Sequence, residues 1–546
     1  MKLLRLIQAN GTRSLSGFAF LAALSGLSSA LVLAILNNAA ATSGGEGGAL
    51  LLLTLVLVIA IYALSQNAIM QAAAREIEGV LHALRKRMLA AAATSDLLRL
   101  DGIGRSAIYA GVTRETQAIS EAQTVLIVGC QSAILIVLTL LYILLLSGAA
   151  FLIAAGFVLA ALVVYRMRAD GIDRRVEHAM RSENRLFDDL RDLLDGFKEV
   201  KMHRGRDEAL FAEISGRSKE TASLKDAVKA DAAQQFVASQ AGFFALIGAM
   251  IFIVPVFAQS YSEIIVNITM DVLFLTGPIG ILMQSIPVFA QANVAAGAIA
   301  DLVDRLETAC PPALPEDDEA PTPSLEPFRK ISLSGVQFSY PPQGQDRSFA
   351  VGPMDFDVRS GEIVFLTGGN GSGKSTFLRL LTGLYAPTDG EVRVDATAVD
   401  AVNRQAYRDL FAAVFSDYHL FRRLYGVDPA DPAEIQEWLA RLDLDGKTQF
   451  VGDRFEPIDL STGQRKRLAL LAAVVEDRPM LVLDELAADL DPAFRRTFYE
   501  DILPSLKRGG RTIVAATHDD RYFHVADRRF HLVDGRIAGE REAHQA

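Results

Sequence analysis

The chain has only two cysteines in 546 residues, Cys130 inside an apolar run and Cys310 in a proline-rich stretch. Sites so different in character exclude a disulfide framework. A dense block of Lys and Arg is also missing: 54 basic residues against 65 acidic ones give a formal net charge of −11. No segment is therefore suited to neutralising a phosphate backbone, and nucleic acid is not expected as a partner. No zinc-protease spacing or nucleophile elbow occurs, which excludes the common membrane-protease chemistries. Beyond about residue 300 the long apolar runs stop, and the remainder reads as soluble and globular.

Before residue 300 the opposite holds. Hydrophobic residues make up 51% of the chain and mean hydropathy is +0.25. A helix needs roughly 20 apolar residues to cross a hydrocarbon core of about 30 Å. Runs of that kind fall at 17–38, 49–69, 122–147, 149–168, 237–259 and 264–290. The connections at 39–48, 147–149 and 260–263 are short and lack Lys and Arg, whereas 70–121 and 169–236 are long and charged. The positive-inside rule then places the long connections and both termini in the cytoplasm, as an even number of crossings requires. The apolar stretch starting at Gly17 exceeds the roughly 7–15 residues of a signal-peptide core, so a retained helix is expected there. Lys2, Arg5 and Arg13 with Leu3, Leu4, Leu6 and Ile7 suggest a short interfacial helix ahead of it.

The long connections carry apolar residues at helical spacing and read as cytoplasmic extensions of the spans. Turns are expected at Asp101-Gly102-Ile103-Gly104 and at Asp195-Gly196, as candidate contacts to a cytoplasmic motor. Residues 309–327, ACPPALPEDDEAPTPSLEP, are proline-rich and acidic and mark a linker. The expected division is a membrane domain over 1–308, a linker over 309–327 and a soluble domain over 328–546. In the last, strand-like 331–340, 362–368, 480–484 and 512–518 alternate with helical stretches, an α/β pattern with a largely parallel sheet.

The chemistry sits in that soluble part. GGNGSGKS at 368–375 follows an apolar strand and precedes a helix, the context of a phosphate-binding P-loop. Gly368, Gly369, Asn370, Gly371, Ser372 and Gly373 would close backbone N–H groups around phosphate oxygens, with Thr376 continuing the helix. Lys374 would reach the β- and γ-phosphates and Ser375 would ligate Mg²⁺. MLVLDE at 480–485 is an apolar strand ending in two carboxylates: Asp484 to support Mg²⁺ and Glu485 to polarise the attacking water.

LSTGQ at 460–464, with RKRLAL behind it, resembles the LSGGQ signature of the ATP-binding cassette (ABC) transporter family. The resemblance implies an all-α transmembrane six-helix bundle of the exporter type followed by an α/β P-loop cassette, with ATP and Mg²⁺ as its nucleotide and metal. It implies that Ser461, Thr462, Gly463 and Gln464 face ATP held by the cassette of a second copy, so that a homodimer makes two composite sites. Tyr340 matches the aromatic that stacks on adenine, Asp491 the D-loop aspartate and His518 the switch histidine; each also has a plain alternative, Asp491 as a helix cap before Pro492. One departure stands in VFSDYHLF at 414–421, where Ser416 occupies the position of the family's Q-loop glutamine. Ser416 through water, or Asp417, would then serve Mg²⁺. Within the family, the likeness is to bacterial cyclic-peptide and siderophore-precursor exporters of the pyoverdine and syringomycin type. That implies an inner-membrane exporter of peptide-like or siderophore-type cargo, with a periplasmic partner left open. An importer of exporter fold and a nucleotide-sensing membrane regulator are the alternatives. In the membrane half, Asp271, Gln131, Gln284, Gly277-Pro278 and Pro287 are the polar or kink-prone features; Asp271 reads as a cargo or proton contact or as a solvated vestibule residue.

Overall fold

The computed structural model describes residues 2–10, 15–41, 48–254, 265–309, 325–341, 349–427 and 431–542. The chain divides into two compact units, Met1–Ser95 with Leu100–Ala309, and Asp96–Arg99 with Cys310–Ala546. Most of the proline-rich linker stretch and Cys310 lie outside the described residues.

The first unit is helical throughout. Its long helices run Leu15–Ala41, Gly48–Thr94, Thr116–Leu146, Gly148–Asp195, Arg204–Phe252 and Thr276–Ala309, with Ile265–Phe274 ahead of the last. Each expected apolar span falls in one of these helices, except the tail of 237–259 and the start of 264–290, which lie outside the described residues. Among the described residues, four helices are long and apolar enough to cross a membrane, and two shorter apolar ones occupy Ala23–Ala39 and Gly148–Val164. In Gly48–Thr94 only 6% of the most apolar window is buried, with Leu50, Leu53 and Leu57 at 60% exposure or more. A helix that is apolar all round and unburied belongs in lipid.

Inside this unit, Ile136, Ile143, Ala150, Ala154, Phe243, Met250 and Val272 form an apolar core. Several polar groups are tied to one another, as the lack of water within a bilayer favours. Gln66 Oε1 accepts from both Ser25 Oγ and Gln131 Nε2 at 2.8 Å, and Asn37 Nδ2 donates to Asp271 Oδ1 at 2.6 Å. Asp271 is fully buried, so the solvated-vestibule reading does not hold in this chain. The short helix Lys2–Asn10 is present, and Asn293 accepts from the backbone N–H groups of Lys2 and Leu3. The break expected at Asp101-Gly102-Ile103-Gly104 falls at the last of these residues: the helix Leu97–Ile103 ends there, and Gly104 takes a φ of 85° that suits glycine. The break at Asp195-Gly196 is where it was expected.

The second unit holds two sheets. One is a four-stranded antiparallel sheet in the order β2-β1-β4-β5, from β1 (Lys330–Ser339), β2 (Ala350–Arg359), β4 (Asp389–Val394) and β5 (Thr397–Ala398). The other has six strands in the order β12-β11-β3-β10-β9-β6: β3 (Ile363–Thr367), β6 (Phe411–Val414), β9 (Met480–Asp484), β10 (Thr512–Ala516), β11 (Arg528–Val533) and β12 (Arg536–Glu542). A small hairpin pairs β7 (Gln449–Val451) with β8 (Arg454–Glu456). All strands of the six-stranded sheet except β12 run parallel. β3, β9 and β10 are buried at every position, because helices or the second sheet cover both faces. β1 alternates more and less buried positions instead and pairs antiparallel with β2 and β4.

Candidate nucleotide site

In-register pairing of β3, β10, β9 and β6 sets Leu366 beside Ala516, Ala516 beside Asp484, and Leu483 beside Val414. The segments that follow, Gly368–Ser375, Thr517-His518, Glu485 and Phe415-Ser416, therefore leave the sheet at one carboxyl edge, where open α/β sheets place their ligand crevice.

The P-loop turns on glycines, and at Gly368 a side chain has no room. Gly368 has φ 147°, and a Cβ there would lie 2.3 Å from the Leu532 carbonyl oxygen. The loop delivers Lys374 to the start of the helix Lys374–Leu381. The Lys374 ammonium is 5% exposed and 3.3 Å from Glu485, and it donates to the Gly368 and Gly369 carbonyls at 3.1 Å. The buried ammonium is thus held by two loop carbonyls and one carboxylate, with its charge at the mouth of the loop. Gly371, Ser372, Gly373, Ser375, Thr376, Asn370 and Glu485 line a cleft of about 310 Å³.

Glu485 has a left-handed φ of 51°, costing on the order of 1 kcal/mol for a residue with a Cβ. Its N–H donates to the Ala516 carbonyl at 3.1 Å, which fixes the carboxylate in the cleft. The same carboxylate lies 3.0 Å from His518 Nε2. Glu485 and His518 thus meet directly, from strands adjacent in the sheet.

Asp484 is 1% exposed. Its Oδ2 accepts from the Ser416 backbone N–H at 3.4 Å, while Oδ1 has no hydrogen-bond partner among the described residues. A buried carboxylate oxygen left open in this way fits a hard cation, and the donors around it are the oxygens that Mg²⁺ prefers. No cluster of three or more His, Cys, Asp or Glu occurs among the described residues. Asp417 is turned elsewhere, to Arg379 at 2.9 Å.

Tyr340 is half-buried, packed edge-on against Phe338 and Tyr385 at 5.1 and 5.9 Å, with its hydroxyl 3.0 Å from Thr376 Oγ1. The sequence did not single out Phe349, which lines the cleft and is 42% exposed. Loop 342–348 lies outside the described residues, but its two ends are tied together: the Tyr340 N–H donates to the Phe349 carbonyl at 3.2 Å.

Away from this cleft, the signature residues begin the helix Thr462–Val475. Ser461 Oγ accepts from the Gln464 N–H at 3.4 Å and Gln464 Oε1 accepts from the Ser461 N–H at 3.0 Å, a capping box. The Ser461 hydroxyl proton remains to be donated outward, and Ser461 and Thr462 are exposed. Gly463 packs so that a Cβ would sit 2.9 Å from the Asp489 carbonyl oxygen. Asp491 caps the helix Pro492–Thr497 by accepting from the Phe494 N–H at 2.9 Å and pairs with Arg467 through its other oxygen. The Phe494 N–H and the Arg467 charge hold its carboxyl below the usual aspartate range. The run RKRLAL had no role assigned from sequence. Here Lys466 bridges the Glu485 carbonyl at 3.0 Å and Asp489 at 2.7 Å, and Arg467 reaches Asp443 and Asp491. These two cations fasten the signature helix to the loop after β9.

Residues 351–488 match the ABC transporter family. Over 303 residues the chain is 41% identical to the ATP-binding protein SyrD of Pseudomonas syringae pv. syringae, a match that covers 54% of this chain and 53% of that protein. It is 30% identical over 389 residues to an ATP-dependent lipid A-core flippase of Burkholderia pseudomallei, covering 67% of this chain and 62% of the flippase. The chain thus spans between half and two thirds of the length of these curated relatives. A bacterial Atm1-family ABC exporter with ATP bound superposes with a TM-score of 0.76 at 21% identity, over 97% of this chain and 94% of that one.

Proposed function

Residues 351–488 belong to the ABC transporter family and the chain as a whole has the fold of an ABC exporter, and from that premise we propose that the protein is an ATP-hydrolysing exporter of the bacterial inner membrane. In this reading two copies form a homodimer, residues 309–327 link the membrane and cassette domains, and both termini face the cytoplasm.

The observation that carries the reading is Glu485, held 3.3 Å from Lys374 and 3.0 Å from His518 at the carboxyl edge of the sheet. In the proposed reaction the P-loop N–H groups and Lys374 hold the ATP phosphates, while the Tyr340 ring lies under the adenine. Ser375 and Asp484 would hold Mg²⁺, with Ser416 through water; the ion neutralises charge on the phosphate oxygens when bound. Glu485 accepts a proton from the attacking water as the bond to the γ-phosphorus forms and the β–γ bridge breaks. His518 donates to Glu485 and keeps the carboxylate aimed. Ser461, Thr462, Gly463, Gln464 and Asp491 of the second copy close the site, using the exposed hydroxyls and N–H groups of that helix start.

The coupling follows from linkage: ATP shifts the helices toward an outward-facing state only by binding the closed dimer more tightly than the open one. The cargo class we propose is peptide-like or siderophore-type, on the likeness to SyrD; a periplasmic partner belongs to the same proposal. The test is ATP hydrolysis by the purified protein in lipid nanodiscs, with and without cyclic peptides and siderophore precursors, and Glu485→Gln as control. Saturable stimulation of turnover, lowered at least about 100-fold in the control, supports a coupled transporter. Turnover indifferent to every compound refutes the cargo class, and absence of hydrolysis refutes the catalytic assignment. In inverted vesicles, ATP-dependent accumulation supports export, and loss of preloaded cargo overturns it.

A further inference from the structure

Beside the start of the P-loop, where Gly368 and Gly369 form part of its wall, the β11–β12 pair carries a second, basic cleft of about 530 Å³. Arg529 stands directly opposite Arg541 in the antiparallel register, and His531 stands opposite Gly539. Side chains two apart on a strand share a face, so Arg529, Arg541 and His531 all project from one side of the pair. Their cleft is closed by Phe523, whose ring lies 4.5 Å beneath the Arg529 guanidinium, and by His518 and Thr367. The Thr367 hydroxyl sits 3.0 Å from His531 Nδ1.

Like charges placed directly across a strand pair repel. Among the described residues neither Arg529 nor Arg541 has an ion-pair partner, whereas Arg528 next door, on the opposite face, takes Asp357, Glu362 and Glu540. The nearest carboxylate of the cleft, Glu540, is thus already engaged. A planar guanidinium pair over an open cleft of this size matches a tetrahedral oxyanion held by two donor forks.

We propose that this face is an oxyanion site, adjoining the ATP cleft at Gly368, Gly369 and His518, that takes a phosphate or pyrophosphate group between Arg529 and Arg541. Its contact with Thr367 and His518 sets it against the strand and switch that form the ATP site. The charge pattern gives a distinctive expectation. An anion, or removal of one arginine, relieves the same repulsion, so the two effects do not add.

The test uses the full chain in a phosphate-free maltoside detergent, with the P-loop filled by a non-hydrolysable ATP analogue and Mg²⁺. Thermal unfolding is followed through Trp438, the single tryptophan of the chain, in chloride and in phosphate or pyrophosphate at equal ionic strength. The expected result is a saturable rise in Tm with the oxyanions, and one additional equivalent of labelled pyrophosphate bound per chain. Arg541→Gln, at an exposed strand position, raises the Tm in chloride and removes the oxyanion response; Arg541→Glu, able to pair across to Arg529, raises it further. Glycerol phosphate serves as a second arm: a response to it identifies a phosphate ester as the ligand, and a response to the inorganic ions alone identifies free phosphate or pyrophosphate. Oxyanion binding that persists unchanged in Arg529→Gln/Arg541→Gln, or no saturable binding beyond the P-loop, overturns the proposal.

Discussion

Replacing Arg467 by methionine removes the cation that joins the signature helix to two other parts of the cassette. Arg467 is 8% exposed; its Nη1 donates to the Leu442 carbonyl at 3.3 Å and to Asp443 at 3.0 Å, and its Nη2 to Asp491. The guanidinium carbon lies 3.8 Å from the centroid of the Phe494 ring. The two ion pairs contribute little, because Asp443 and Asp491 are 87% and 51% exposed; screened by water, they are worth about 0.5 kcal/mol each or less. The bond to the Leu442 carbonyl, from a charged donor, is worth about 1.5 kcal/mol, and the cation–π contact about 1 kcal/mol. Together these terms reach about 3 kcal/mol, a factor of roughly 150 in the folding equilibrium.

Trp438 lies on the helix Pro432–Arg441, which runs directly into Leu442, so its fluorescence reports this region without labelling. With a urea slope of about 2 kcal/mol/M, the unfolding midpoint of Arg467→Met falls by about 1.5 M while the slope is unchanged. Arg467→Lys keeps the charge and loses the planar fork, and recovers less than half of that shift. A midpoint for Arg467→Met within roughly 0.3 M of the parent, at the same slope, would refute the assignment of Arg467 as the fastening between these segments.

In the membrane unit, Gly129→Val forces two helices apart, since a Cβ at Gly129 would lie 2.7 Å from Ser285 Oγ. A loss of about 1–3 kcal/mol is expected in thermal unfolding in detergent, partly recovered by adding Ser285→Ala; an unchanged Tm contradicts the close approach. Asp491 supplies a pH signature: its folded-state carboxyl is held below the ordinary range, chiefly by the Phe494 N–H. Its stabilising contribution is complete above about pH 4 and is lost as pH falls through the depressed folded value. Asp491→Asn therefore flattens the acid limb of the Trp438 unfolding curve, and an identical acid limb in both proteins excludes the effect.

The parts of this fold that were legible in sequence are those with a local signal. β3, β9 and β10 are unbroken apolar runs because both faces are covered, and the P-loop announces itself by glycines between a strand and a helix. The antiparallel sheet was hidden for the converse reason: β2, AVGPMDFDVR, carries a proline at 353 and alternates, so it lacks the run that identifies a covered strand. Within Asp101-Gly102-Ile103-Gly104 the helix Leu97–Ile103 runs on through Gly102 and breaks at Gly104, the glycine with a positive φ. Contacts such as Arg467 to Asp443 join residues 24 apart across a helix and a loop, and no spacing rule reaches them.

Asp491 shows why a motif and its plain alternative need not compete. The sequence offers a D-loop aspartate or a helix cap before Pro492, and the carboxylate has two oxygens. Oδ1 is taken by the Phe494 N–H and Oδ2 by Arg467. Because the cap fixes the first oxygen, rotation about the side chain no longer frees the second. Any movement of the signature helix that displaces Arg467 therefore pulls on the start of the helix Pro492–Thr497. The next turn contributes Tyr499, whose hydroxyl contacts Thr517 at 2.6 Å and Asp519 at 3.0 Å, on either side of His518. A residue that caps a helix is, by that bonding, also a link in the row of contacts that runs from Arg467 toward the neighbours of His518.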